Sequence, residues 1–416
     1  MRFLKEYVGI RQTLAGQMDV EATHPEIELL RCCARTMLDE ETTEQVQKLL
    51  RQPIDWSYLV RLAVHHRIIP LIYRSLGQNS SGAVPAGVLL KLKNYSQTNI
   101  KRNLFLTKEL IKLIDLLESH RILSIPYKGP ALAILAYGNI GIRQFGDLDI
   151  LVRPRDYFKA RNLLLASGYR LETDWGWECS LVNDTLGVYI DLHRAITPEI
   201  FPVRLDFERL LERIEPVSIA STKFNTLCAE DMLVVLCIQL AKDAWGESPL
   251  RLSKVCDIAE LLRACASINW DRVFNEAKRL GGQRMLLLGL SVAHDLLGAP
   301  VPKSLNGFQS EPHLSTLAAH TGQRLFHEAG GSRPMHCSMA SFHFKLRERW
   351  LDKLYPYYHD FKLHMIPTEE DRALVSLPKS LSFLYHVIRP IRLVKKHGLN
   401  LLKMVKTKYL SRHDQR

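Results

Sequence analysis

The sequence predicts an α+β fold, in which a small β-sheet core is flanked by helical lobes on its N-terminal and C-terminal sides. Three observations carry this. Short apolar runs of strand character occur at Ile122–Tyr127, Leu148–Val152 and Val188–His193. Helical apolar spacing dominates the segments before and after them. The 416 residues are enough for two or three hydrophobic cores. We divide the chain into an N-terminal helical region (1–100), an α/β core (101–225), a helical lobe (226–300) and a C-terminal helical region with a basic tail (301–416).

In the N-terminal region His24-Pro25 opens one helix and Thr42 to Arg51 forms another. Asp55 is placed to cap a third, which runs through Leu59, Leu62 and Ala63 toward Pro70. Neighbours on a helix point about 100° apart, so His65 and His66 do not readily share one ion. After the polar loop from Gln78, residues 87–120 form one or two long helices, with Leu104, Leu106, Leu110, Leu113, Ile114 and Leu117 on an apolar face.

The core begins with the Ile122–Tyr127 strand, which Gly129-Pro130 interrupts. Proline is tolerated in a first helical turn because its missing N–H would be unpaired there. Ala131 to Tyr137 is a good helix former, ended by Gly138-Asn139. Asp147 and Asp149 open the next strand. Residues two apart on a strand share a face, so these carboxylates sit side by side and repel unless a cation lies between them. Mg²⁺, which takes one or two carboxylates together with phosphate oxygens and water, suits such a pair. Pro154 to Ala166 reads as a helix closed by left-handed Gly168, and Leu171 to Asp184 is turn-rich. In the strand after Gly187, Val188, Ile190 and Leu192 alternate with Tyr189, Asp191 and His193, which places Asp191 and His193 on one face.

The order Lys128-Gly129, an Ala/Leu-rich helix, Tyr137-Gly138, then Arg143-x-x-x-Asp147-x-Asp149 followed by apolar residues, Arg153 and Pro154 resembles the polymerase-β-like nucleotidyltransferase superfamily. More narrowly it is similar to the bacterial uncharacterised nucleotidyltransferase family, strongly over roughly residues 120–195 and more loosely in the helical flanks. The resemblance implies a small mixed-sheet nucleotidyltransferase core. It also implies Mg²⁺-dependent transfer of a nucleoside monophosphate from an NTP, ATP among them, with Mn²⁺ as a substitute metal. By the same resemblance Asp147, Asp149 and Asp191 are the catalytic and metal-binding acids. Lys128, Gly129, Arg143, Lys254 and Lys242 are the expected nucleotide contacts. Pro130 departs from the Gly-Ser or Gly-Gly of much of the superfamily, and so removes one hydroxyl or N–H contact to phosphate.

From Cys228 the pattern is helical again. Glu230 and Asp231 suit a helix start, and Met232 to Ala241 is almost wholly apolar. Lys254 and Asp257, three apart, can pair on one helical face. Residues 270–297 complete this lobe around a break at Gly281-Gly282, and 299–343 read as a linker with short helices. Trp350 to His364 is aromatic-rich, with packing on the core as its expected role. The tail from Arg389 to Arg416 alternates basic and apolar residues, a pattern for a basic amphipathic helix on nucleic acid or an anionic surface, or for a solvated terminal helix.

Composition is that of an ordinary globular chain, 46% hydrophobic and 24% charged, with eight cysteines and no Cys-x-x-Cys pair. Several of those cysteines lie within apolar helical patterns, which suits reduced buried thiols in a cytoplasmic protein. The charges of Met1–Glu6 give no signal-peptide pattern, and no apolar run approaches the roughly 20 residues of a membrane span. A net charge of +12 favours an anionic partner. The acceptor is open: a hydroxyl or amine on a small molecule, RNA or protein. Two other classes stay open at this point. One is a metal-dependent glycosyltransferase using Asp-x-Asp; the other is an inactive scaffold of the same fold.

Overall fold

The computed structural model describes residues 24–79, 82–198, 201, 203–219, 222–244, 250–302, 312–326 and 339–366, together with Leu384, Tyr385, Arg389 and Arg392. Among the described residues four N-terminal helices come first: α1 (Pro25–Cys33), α2 (Glu40–Leu49), α3 (Trp56–His65) and α4 (Ile69–Asn79). Asp55 caps α3 as expected, its side chain accepting from the Tyr58 N–H at 2.9 Å. The segment 87–120 is a single 34-residue helix, α5 (Ala86–Ser119). Leu106, Leu110, Leu113, Ile114 and Leu117 are buried along it, whereas Leu104 faces solvent.

The core alternates as the apolar runs require: β1 (Ser124–Pro126), α6 (Pro130–Tyr137), β2 (Asp147–Val152), α7 (Tyr157–Ala166), β3 (Arg170–Asp174), β4 (Glu178–Asn183) and β5 (Val188–His193). The five strands form one mixed sheet in the order β1-β2-β5-β4-β3, in which β2 and β5 are parallel and the other neighbours antiparallel. Period-2 alternation separates the two faces. Leu148, Ile150, Val152, Val188, Ile190 and Leu192 are fully buried on one, packed with residues of α5 and α7. Each such aliphatic burial is worth about 1.5–3 kcal/mol. The other face carries Asp147, Asp149, Asp191 and His193.

Two expectations are corrected here. The turn-rich Leu171–Asp184 stretch is a β-hairpin, with β3 as an edge strand exposed along most of its length. Lacking a buried face, β3 has no apolar alternation to read and is held by its ladder with β4. A second, two-stranded sheet, β6 (Glu215–Ile219) with β7 (Thr222–Thr226), follows the short helix α8 (Phe207–Leu211) and was not anticipated.

The helical lobe consists of α9 (Ala229–Asp243), α10 (Leu252–Ala264), α11 (Trp270–Leu280) and α12 (Gln283–Leu297). Left-handed Gly281 ends α11 at the expected break. The expected linker instead contains the 15-residue α13 (Pro312–Phe326), which buries Leu314, Leu317, Ala318 and Leu325, followed by α14 (Met339–Leu346). Proline starts α13 rather than breaking it.

The chain falls into two compact units, Met1–Arg349 and Trp350–Arg416. In the second, α15 (Trp350–Met365) leaves Trp350, Tyr357 and Tyr358 more than half exposed. Most of the basic tail lies outside the described residues. Among the described residues no helix is long and apolar enough to cross a membrane.

Candidate active site

β1 delivers Tyr127 and Lys128 to a turn that only glycine adopts readily. Gly129 has φ 53° and ψ −125°, and its carbonyl accepts the Ala133 N–H at 3.1 Å as α6 begins. The loop between α6 and β2 is pinned from α5. Buried Asn103 donates to the carbonyls of Ile140 (2.6 Å) and Arg143 (2.8 Å), and Asn99 donates to that of Gly141 (3.0 Å). These bonds fix where β2, and therefore its acids, begin.

In the parallel β2–β5 ladder Asp149 lies directly opposite Asp191, and Asp147 opposite Tyr189. All three aspartates line one cavity of about 260 Å³ with Lys128, Arg143 and Lys254. Asp191 therefore sits on the same side of the sheet as Asp147 and Asp149. The remaining wall is made by the helical lobe and by Arg67, which follows α3.

Asp149 is almost fully buried, and its Oδ1 accepts from Lys128 Nζ (3.1 Å) and from His193 Nε2 (3.2 Å). Burial opposes its ionisation, but the charges and hydrogen bonds of Lys128 and His193 prevail and hold it well below the usual carboxylate range. Desolvation of the partly buried Lys128 opposes its charge, but Asp149 prevails and raises it above its ordinary value. His193 lies 3.1 Å through Nδ1 from Glu178 Oε2. Burial lowers its pKa, yet Asp149 and Glu178 push it up to about 9, so at neutral pH it is an imidazolium with both nitrogens protonated.

Asp191 behaves oppositely. Burial first, then the charges of Asp149 and Asp147, push its carboxyl up to about 6, against the 2.6 Å hydrogen bond from Ser180 Oγ. Two register-paired carboxylates, one stabilised as an anion and one crowded toward neutrality, would gain from a divalent cation between them. Among the described residues no three His, Cys, Asp or Glu side chains close on a point as a complete cage. A magnesium site built from one or two carboxylates plus phosphate and water needs no such cage, and the acids fit that donor set.

Arg143 is committed to structure by two of its nitrogens: Nε donates to Asp257 Oδ1 (2.8 Å) and Nη2 to Oδ2 (2.9 Å). The Tyr137 hydroxyl donates to the same Oδ1 at 2.8 Å. Arg143 Nη1 is buried without a hydrogen-bond partner among the described residues. The expected Lys254–Asp257 pairing is replaced: Lys254 pairs with Asp243, and Asp257 with Arg143. Lys254 lines the cavity. Lys242 does not; it sits 3.6 Å from Asp243 and over the Trp177 ring. His66 is a core residue, its Nδ1 accepting the Leu252 N–H at 3.1 Å. His193, Glu178 and Ser180 were not anticipated as part of this cluster, although the shared face of Asp191 and His193 was a readable signal for the first of them.

A glycine turn, a short helix and two adjacent strands with facing acids define a nucleotidyltransferase core. Residues 52–298 match the sequence profile of the uncharacterised nucleotidyltransferase family, and the chain belongs to that family. No curated protein sequence matches it significantly. Solved structures similar to parts of it include the following. The lincomycin-bound crystal structure of the lincosamide antibiotic adenylyltransferase LnuA is 19% identical, covering 37% of this chain and 94% of its own at a TM-score of 0.27. The solution structure of the antibiotic-resistance factor ANT(2'')-Ia is 12% identical over 44% and 91%, with a TM-score of 0.32. An antigenic nucleotidyltransferase-like protein from Paracoccidioides brasiliensis is 16% identical over 52% and 92%, with a TM-score of 0.31.

Proposed function

We propose that this protein transfers a nucleoside monophosphate from an NTP to a hydroxyl or amine acceptor, with Mg²⁺ held by Asp147, Asp149 and Asp191. The observation that carries the reading is the register pairing of Asp149 with Asp191 beneath a cavity they share with Asp147 and Lys128. The family gives the reaction type; the metal dependence and the residue roles are our reading of the site.

When bound, Mg²⁺ or Mn²⁺ would supply charge neutralisation at the triphosphate and at the attacking and leaving oxygens. Lys128, beside Asp149, supplies positive charge where pyrophosphate leaves. The Gly129 turn, having no Cβ, lets a phosphate approach the backbone at the start of α6. Arg143 is oriented by Asp257, which leaves Nη1 as its unused donor toward phosphate. Asp191, on the neighbouring strand, is the carboxylate placed to help deprotonate the acceptor group. His193, itself paired with Glu178, positions Asp149 through the same Oδ1 that Lys128 contacts. Lys254 remains a phosphate contact in this reading, and Lys242, outside the cavity, has no part in it.

The test is an untargeted product search: purified protein, Mg²⁺, cell extract and each of the four NTPs in turn, followed by mass spectrometry and a pyrophosphate assay. The expected outcome is a product heavier than its acceptor by one NMP, formed with an equal amount of pyrophosphate. Absence of both with all four nucleotides would overturn the proposal.

A further inference from the structure

The cations of the cavity differ in how they are neutralised. Lys128 pairs with Asp149, Arg143 with Asp257 and Lys254 with Asp243. Arg67 lines the same cavity, and among the described residues its side chain makes no ion pair or hydrogen bond. It is half-buried, on the same wall as Arg251 and Lys254. A partly desolvated guanidinium that has no carboxylate partner of its own, lining a cavity whose other cations include Arg251 and Lys254, attracts an anion there.

The backbone holds Arg67 there with some effort. It is the left-handed residue just after α3, φ 56°, with the Ile68 N–H bonded to the Ala63 carbonyl at 3.0 Å. That turn ordinarily prefers glycine. Arg121 ends α5 in the same conformation at φ 58° on the exposed surface, so the turn by itself assigns no role. Two further facts set Arg67 apart. It borders the aspartate cavity, and its turn is tied to the helix that supplies Lys254 and Asp257. The His66 carbonyl accepts the Ser253 N–H at 3.2 Å, and His66 Nδ1 accepts that of Leu252 at 3.1 Å. Burial keeps His66 neutral, as acceptance at Nδ1 requires. The N-terminal helices are thereby locked to the start of α10 at the cavity rim.

We infer that Arg67 binds the phosphate chain of the donor nucleotide, so that the N-terminal helical region supplies part of the NTP site. Its guanidinium meets phosphate oxygens through charge-assisted hydrogen bonds, the geometry for which arginine is suited. This rests on the nucleotidyltransferase reading of the cavity, and the experiment separates the two.

The substitution Arg67→Gly removes the guanidinium while relieving the left-handed turn, so the variant should melt at or above the temperature of the unaltered protein. Calorimetry with inorganic tripolyphosphate, with each NTP in Mg²⁺ and with the corresponding nucleosides should show affinity for tripolyphosphate and NTP falling about 10- to 100-fold. Nucleoside affinity should stay the same. Equal NTP and tripolyphosphate affinities in the two proteins would overturn the role of Arg67 alone. A failure of the unaltered protein to bind any NTP would overturn this inference together with the reading of the cavity.

Discussion

Asp149→Asn should lower NMP transfer by about 10³-fold or more while leaving the fold in place. The substitution keeps the size of the side chain and a carbonyl oxygen for Lys128 and His193 to address, but it removes the charge. His193 would then lose one of the two carboxylates that raise its pKa while keeping Glu178, and Lys128 is partly exposed to solvent. The structural cost is therefore small beside the catalytic one. Pyrophosphate release measured alongside far-ultraviolet circular dichroism separates the two effects. Asp147→Asn and Asp191→Asn should act in the same direction. An Asp149→Asn protein that turns over at the normal rate would remove this carboxylate from the mechanism.

The largest effect on stability is expected at a different acid. Asp257→Ala should destabilise the protein by about 3–5 kcal/mol, because it strands a buried charge. Arg143 would lose both of its hydrogen-bonded nitrogens' partners, and the Tyr137 hydroxyl would lose its acceptor. Replacing both ends of the pair, as in Arg143→Met with Asp257→Leu, should cost much less, since no unpaired charge then remains. Denaturant midpoints for the single and double variants test this. A single substitution costing less than about 1 kcal/mol would mean that Arg143 is solvated rather than fixed by Asp257.

The parts of the site that follow local periodicity were legible in the sequence. The Asp-x-Asp pair, the turn at Gly129 and the alternation that puts Asp191 on one face depend only on residues a few positions apart. What pairs across the chain was not legible. Lys254 and Asp257 have suitable helical spacing, yet each has another partner, because Asp243 and Arg143 approach them from elsewhere in the fold. Arg143 and Asp257 are 114 residues apart, and no local rule joins them. Glu178 and Ser180 reach His193 and Asp191 only through the β4–β5 register, and β4 lay within a stretch that reads as turns. Arg67 gave no sequence signal: an arginine where a helix stop favours glycine is noticeable only once the backbone is known.

The central claim, that acids from two neighbouring parallel strands jointly hold a divalent ion, is tested most directly by Mn²⁺ binding followed by electron paramagnetic resonance from pH 5 to 8. The crowded carboxyl of Asp191 carries its proton below a pH of about 6, and His193 stays charged throughout this range, so one proton must leave for the ion to bind. Affinity in the unaltered protein should be level near pH 7 to 8 and fall about tenfold per pH unit below 6. Asp191→Asn should bind weakly across the whole range without that dependence. Equal affinity and an identical pH profile in the two proteins would contradict the account.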